Sequence, residues 1–341
     1  MIKDYSIIPS AITINNTNNE DMVIEINNIP VIIKAGGSVT ELIKTSEQLA
    51  VITSRVSDIK GLELSTIQVP EVSTEEDLKA ALEDETVSVV AISEDMTLTE
   101  PLKVTRDLTI NGEGKTLSVQ PKGIQANGVK VELKDINIVS EKDNALTITA
   151  GGSAKIDSSC TITSPNACVA ILDEGSSLEV AGTLNAGNDA CIAGNGLKNG
   201  TVIDIYDGAK LVSEDITLFI PQNGTVNIHG GEIIGKTAIG IKAGTLNILG
   251  GTITANGDRL DPIKSNDGMK PWGDAIAVEV NSSYAGGKED NNIKIHIAEE
   301  ANVSAVNGDI IRVLNTADKS IQVTGAYTNA TTEGNVTVYT K

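Results

Sequence analysis

The chain has 341 residues, 40% of them apolar and only 2% aromatic, with a formal charge of -20. That apolar share is enough for one large domain or two ordinary ones and excludes a disordered chain. The acidity excludes direct nucleic-acid binding, because phosphate recognition needs a basic surface.

No segment approaches the roughly 18 apolar residues of a membrane span, so membrane insertion is not expected. The opening MIKDYSIIPSAITINN holds no cationic leader followed by an apolar run, and predicts no secretory signal. Residues 1–70 read as a small independent β domain with short strands at 11–14, 22–26, 31–33, 39–43, 49–54 and 62–67. Asn-rich and Gly-Gly turns separate them, and Pro70 ends the last. Residues 73–84 then read as a short amphipathic helix, with Ser73 and Glu76 as a capping box and Leu78, Ala81 and Leu82 on one face.

Beyond the helix the chain repeats itself. TVNIHGGEII and TLNILGGTIT lie twenty residues apart, and a 22-residue register runs from Glu100 through Lys122, Asn144, Asn166 and Asn188. It resumes near Glu214, Lys236, Gly273 and Gly308 after longer intervals that read as insertions at turns. A period of this size marks a solenoid. Each unit carries a strand of strict alternation, such as Leu178/Val180, Ile203/Ile205, Val226/Ile228, Leu246/Ile248 and Ile293/Ile295, with polar residues between. Gly-Gly or Asp-Gly corners follow, and no unit has room for a helix. Three short strands and three corners fill a repeat, and coiling them stacks each strand on its equivalent in the next coil.

This pattern resembles the right-handed parallel β-helix of the pectate-lyase-like superfamily, from residue 72 to the end of the chain. The expected fold is all-β: an amino-terminal β domain (1–70), then a right-handed parallel β-helix (71–341) with the helix covering its open end. About nine turns at about 4.8 Å each make a rod about 40 Å long. The phrase DLTINGEGKTL, residues 107–117, resembles the first turns of many β-helical surface and virion proteins. The segments ITINNTNN, IPVIIKAGGSVTEL and QLAVITSRV are similar to the small β domains of bacteriophage capsid-decorating and head-fibre proteins. That resemblance implies a virion structural protein made in the host cytoplasm and attached at the capsid surface through residues 1–70 to the major capsid protein or another virion protein. The alternatives are a tailspike-like polysaccharide depolymerase and a non-viral surface adhesin.

Chemistry is harder to find. No catalytic constellation and no cofactor-binding motif is evident. Cys160, Cys168 and Cys191 lack zinc-ligand spacing and read as buried small hydrophobes in a protein made in a reducing compartment. The densest polar cluster is residues 256–274, with Asp258, Arg259, Asp261, Asp267, Trp272 and Asp274. Two readings stand: a loop that binds an ion or a host surface glycan, or a surface loop whose charges pair locally and whose Trp packs over the rod. His229 and His296 read as members of one column that also holds Tyr206 and Leu249. Finally, strands around 168–172, 190–193, 216–220, 238–241, 275–278 and 310–314 are apolar on both parities, as strands buried on both faces are. On a bare rod they would leave an exposed apolar stripe. Val169, Ile171, Phe219, Ile239, Ile241, Ile276 and Val278 are therefore candidates for the interface of a homotrimer, with a covering loop or another partner as the alternatives.

Overall fold

The computed structural model describes residues 10–26, 29–43, 45–57, 59–120, 122–196, 199–265, 268–283 and 293–341. By contacts the chain divides into two units: Met1–Val72 with Asp77–Ala91, and Ser73–Glu76 with Ile92–Lys341.

In the amino-terminal unit the strand Ser10–Asn16 is central, pairing antiparallel with Ser38–Ile43 on one side and Leu62–Gln68 on the other. A hairpin of Met22–Ile26 and Ile29–Ile33 adds a second small sheet. The two sheets and a helix share a core of Ile12, Ile14, Ile24, Ile26, Ile33, Ile43, Ile52, Val56 and Leu62. Ala11, Val69, Val89 and Ala91 make a second, smaller cluster. The expected helix after residue 73 is present as Glu75–Glu83, and Leu78 is its fully buried side chain.

The strand expected at 49–54 is instead the middle of a helix, Ser46–Ser57. Its start is a capping box: the Gln48 N–H donates to Thr45 Oγ1 and the Thr45 N–H to Gln48 Oε1, each at 3.2 Å. Leu49, Ile52 and Val56 follow at helical spacing and pack on the core. The β-branched residues of LAVITS favour a strand locally, and the cap together with burial on one helical stripe overrides them.

The second unit is a parallel β-solenoid. Its first sheet runs from Leu108–Asn111 to Ile321–Gly325, and its second from Met96–Thr97 to Asn302–Ala305. The third runs from Leu102–Val104 to Ile311–Asn315, where Val336–Thr340 and Asn329–Glu333 extend it antiparallel. The second sheet has nine strands and the third nine parallel ones, about eight turns of coil, in line with the repeat count. At the carboxy-terminal end Ile321–Gly325 is followed by the antiparallel hairpin instead of two more parallel strands.

Inside, apolar side chains stack in file. Ala154, Leu178, Ile203, Val226, Leu246 and Ile295 occupy one register position of successive coils, and each is at most 3% exposed. The corner glycines set how closely coils approach. Gly231 and Gly251 have φ of 85° and 83°, and a Cβ on either would lie 2.6 or 2.7 Å from the carbonyl oxygen of Ala209 or Gly231 in the coil below. Gly251→Ala therefore combines a left-handed backbone cost with a steric clash and should destabilise the chain by about 2 kcal/mol, read as a lower denaturation midpoint.

Candidate functional site

The third sheet explains the strands that are apolar on both parities. Val169, Ile171, Ile239, Ile241, Ile276 and Val278 point inward and are at most 1% exposed. They are core and form no contact surface; of the seven interface candidates only Phe219 faces outward, half-buried. The threefold assembly inferred from an apolar stripe has no support from these side chains. What faces out in successive coils is Phe219, Gly240, Ala277 and Arg312 in one column and Lys242, Glu279 and Leu314 beside it. The chain covers these columns itself: Trp272 packs on Ala277 and Leu314, with Met269 and Val336 alongside. Gly240 is small because Met269 Sδ would lie 3.0 Å from a Cβ there.

Two charges of the 256–274 insertion, Arg259 and Asp274, are used in holding it down. Asp274, fully buried, accepts Arg312 Nε on Oδ2 at 2.8 Å and the Asp309 N–H on Oδ1 at 2.8 Å. Arg312 Nη2 donates to the carbonyls of Leu260 and Trp272 at 2.6 and 2.9 Å, and its guanidinium carbon lies 5.9 Å from the Trp272 ring centre. The Trp272 and Gly273 N–H groups donate to Thr237 Oγ1, at 2.8 and 3.0 Å. Nearby, Lys242 Nζ lies 2.9 Å from Glu279 Oε2, with both side chains at zero exposure. Ser265 ties the pair to the loop, accepting from Lys242 and donating its N–H to Glu279 Oε1. At the rim Arg259 bonds Asp309 Oδ2 at 2.9 Å.

Asp258 and Asp261 are exposed, so the aspartates do not converge; Asp267 lies outside the described residues. Among the described residues no three His, Cys, Asp or Glu side chains gather as metal ligands. Of the loop residues singled out in the sequence, the structure pairs Arg259 with Asp309 and Asp274 with Arg312, both distant in the chain, and packs Trp272 over the solenoid.

Burial pushes the Asp274 carboxyl up to about 6, against the downward pull of the Asp309 N–H and the Arg312 guanidinium. The folded state therefore binds more protons than the unfolded chain between about 3.8 and about 6. The contribution of Asp274 to stability is full below the lower value and lost as pH rises through the upper one. Stability should rise by about 1 kcal/mol from pH 7 to pH 5. Thermal melts at both pH values check this, and the gain should shrink in Asp274→Asn; an undiminished gain would place its origin elsewhere.

The outer face of the first sheet is organised differently. Thr109, Glu132, Lys155, Glu179, Asp204, Asn227, Asn247, His296 and Thr324 stand in register on successive coils as one polar ladder. Asn247 Nδ2 donates to Asn227 Oδ1 and Asn227 Nδ2 to Asp204 Oδ1, both at 2.9 Å. Two residues further along each strand, Tyr206, His229 and Leu249 form a parallel ridge. The Tyr206 and His229 rings stack 5.0 Å apart at 6°, and His229 Nε2 lies 3.2 Å from Asp204 Oδ1. Partial burial and the carboxylates of Asp204 and Glu179 raise the Tyr206 phenol above its ordinary value.

His296 is not in the ridge with His229, as the sequence pattern implied; it pairs with Asn247 in the ladder and contacts Thr324 Oγ1 at 3.0 Å. Leu246 stacks on Ile295 and Ile248 on Ile297. A two-residue slip preserves alternation, so the motif of Ile295 and His296 could be laid on that of Ile228 and His229 without any apolar residue changing face.

A three-sheet parallel β-solenoid with an amino-terminal β unit defines the class of protein. Within it, residues 69–167 match the family model described as a putative pectate lyase-like adhesive domain. The match takes in the first coils and under a third of the chain. No curated protein and no solved structure matches the chain.

Proposed function

We propose that this chain is a surface-binding display protein whose solenoid presents long ordered faces to a partner. The observation that carries the reading is the nine-residue outward ladder of the first sheet, an unbroken polar file on a rigid scaffold. The similarity of residues 69–167 to an adhesive domain supports it. Weak contacts repeated along such a face, and over many copies, add up to firm attachment.

In its finer form the protein is a bacteriophage virion component, a capsid decoration or head fibre. Its amino-terminal unit anchors it to the major capsid protein or another virion protein. That unit has its own core, and its hairpin carries an exposed cross-strand pair, Val23 and Ile32, at 61% and 60%. Exposed apolar pairs on a small polar unit are what a docking surface offers. A cell-surface adhesin is the second reading, favoured by the adhesive-domain similarity. Immunogold electron microscopy with antibody against the full chain separates them. Label on capsids supports the virion role and label on the cell envelope the adhesin, while label confined to the cell interior sinks both.

A further inference from the structure

We infer that the outer face of the first sheet around Tyr206, His229 and Leu249 binds an uncharged saccharide chain laid along the solenoid axis. This rests on the display reading above and names its ligand. The ridge is apolar and ringed: Tyr206 and Leu249 are each 39% exposed, and the His229 side chain is as open. Tyr206 and His229 hold one another parallel, so ordering them costs a ligand little. The stacked rings turn their faces to one another, so the ridge offers ring edges and the Leu249 side chain, against which the C–H face of a sugar ring can pack.

Beside it runs the Asp204, Asn227 and Asn247 file. The bonds within the file all point one way, from Asn247 to Asn227 to Asp204. They use one amide hydrogen of each Asn and leave the second amide hydrogens, Asp204 Oδ2 and Asn247 Oδ1 to an outside partner. Sugar hydroxyls, which donate and accept, match that mixed set. Successive coils lie about 4.8 Å apart, a step comparable with one pyranose unit, so ridge and file repeat together along a chain of sugars.

Other partners fit less well. An anionic polymer meets Glu179, Asp204 and a net charge of -20. An extended peptide needs a free strand edge, whereas these strands pair with the coils on both sides.

The test uses the full chain. Oligomers of glucose and of N-acetylglucosamine, and polygalacturonate as the anionic counterpart, are titrated by calorimetry and by saturation-transfer NMR. A neutral oligomer should bind, with saturation transferred from Tyr206 and His229. Tyr206→Ala should weaken binding about tenfold, the loss of roughly one ring contact. Asn227→Ala should weaken it less, and Tyr206→Phe should bind like the parent. Unchanged melting curves establish that the variants fold. Binding of polygalacturonate alone, no binding of either neutral series, or equal binding by parent, Tyr206→Ala and Asn227→Ala would overturn the site. Retention of the chain on intact source cells and particles is measured alongside. Retention that survives Tyr206→Ala overturns the saccharide site and leaves the display reading standing. Failure of the parent chain to be retained overturns both.

Discussion

Arg312→Met should cost about 3–5 kcal/mol and release the 256–274 insertion, because it strands a buried carboxylate. In the native chain Arg312 is bonded to Asp274 and to the carbonyls of Leu260 and Trp272, and only 1% of it is exposed. Methionine fills much of the volume and supplies no donor, leaving Asp274 with the single N–H of Asp309, the Leu260 carbonyl without its guanidinium donor, and the Trp272 carbonyl with the Leu260 N–H alone. The only tryptophan of the chain, Trp272, sits under the same clasp, so its emission reports the event. The expected result is a red shift at a temperature or denaturant concentration where the parent is still native. Arg312→Met combined with Asp274→Leu should recover a large part of the loss, since removing both charges removes the desolvation penalty along with the attraction. A double variant as unstable as the single one would mean that packing, not charge, holds the loop.

The same clasp shows which parts of the structure local pattern could reach. Alternation at Val226/Ile228 and Leu246/Ile248, together with the Gly-Gly corners, was sufficient for the three-sheet coil and for Asn227 standing beside Asn247. Those features repeat at short range and are stated several times over. The helix Ser46–Ser57 was also written locally, in Thr45 and Gln48, but its Val-Ile-Thr centre spoke more loudly for a strand. Apolar residues on both parities of 238–241 and 275–278 announced that the outer face is covered without saying by what. The cover comes from 256–274 and from Val336, distant in the chain and joined to the sheet only by the fold. Lys242, Asp274, Glu279 and Arg312 look like ordinary solvated charges in the sequence; their burial follows from that cover, so no local signal could announce it.

Ile228→Ala should cost about 2–5 kcal/mol and split the unfolding of the solenoid into two steps. The side chain is fully buried and stacks between Ile205 on one side and Ile248 on the other. In a solenoid each coil contacts only its neighbours, so a cavity in the middle weakens both of the interfaces that keep the two halves cooperative. Trp272 lies on the carboxy-terminal side of the cavity and reports that half, while far-ultraviolet circular dichroism reports the whole. The two curves should coincide in the parent and separate in the variant. Val323→Ala is the matching control. Val323 is half-buried in the last coil of the first sheet and has a parallel neighbour on one side only, so its loss should cost about 1 kcal/mol and leave the curves together. Both changes remove aliphatic volume from the same sheet, and the sites differ in burial and in their place along the stack. If Val323→Ala shifts the midpoint as far as Ile228→Ala, or the curves of Ile228→Ala still coincide, then stability is shared across the whole solenoid and not passed from coil to coil.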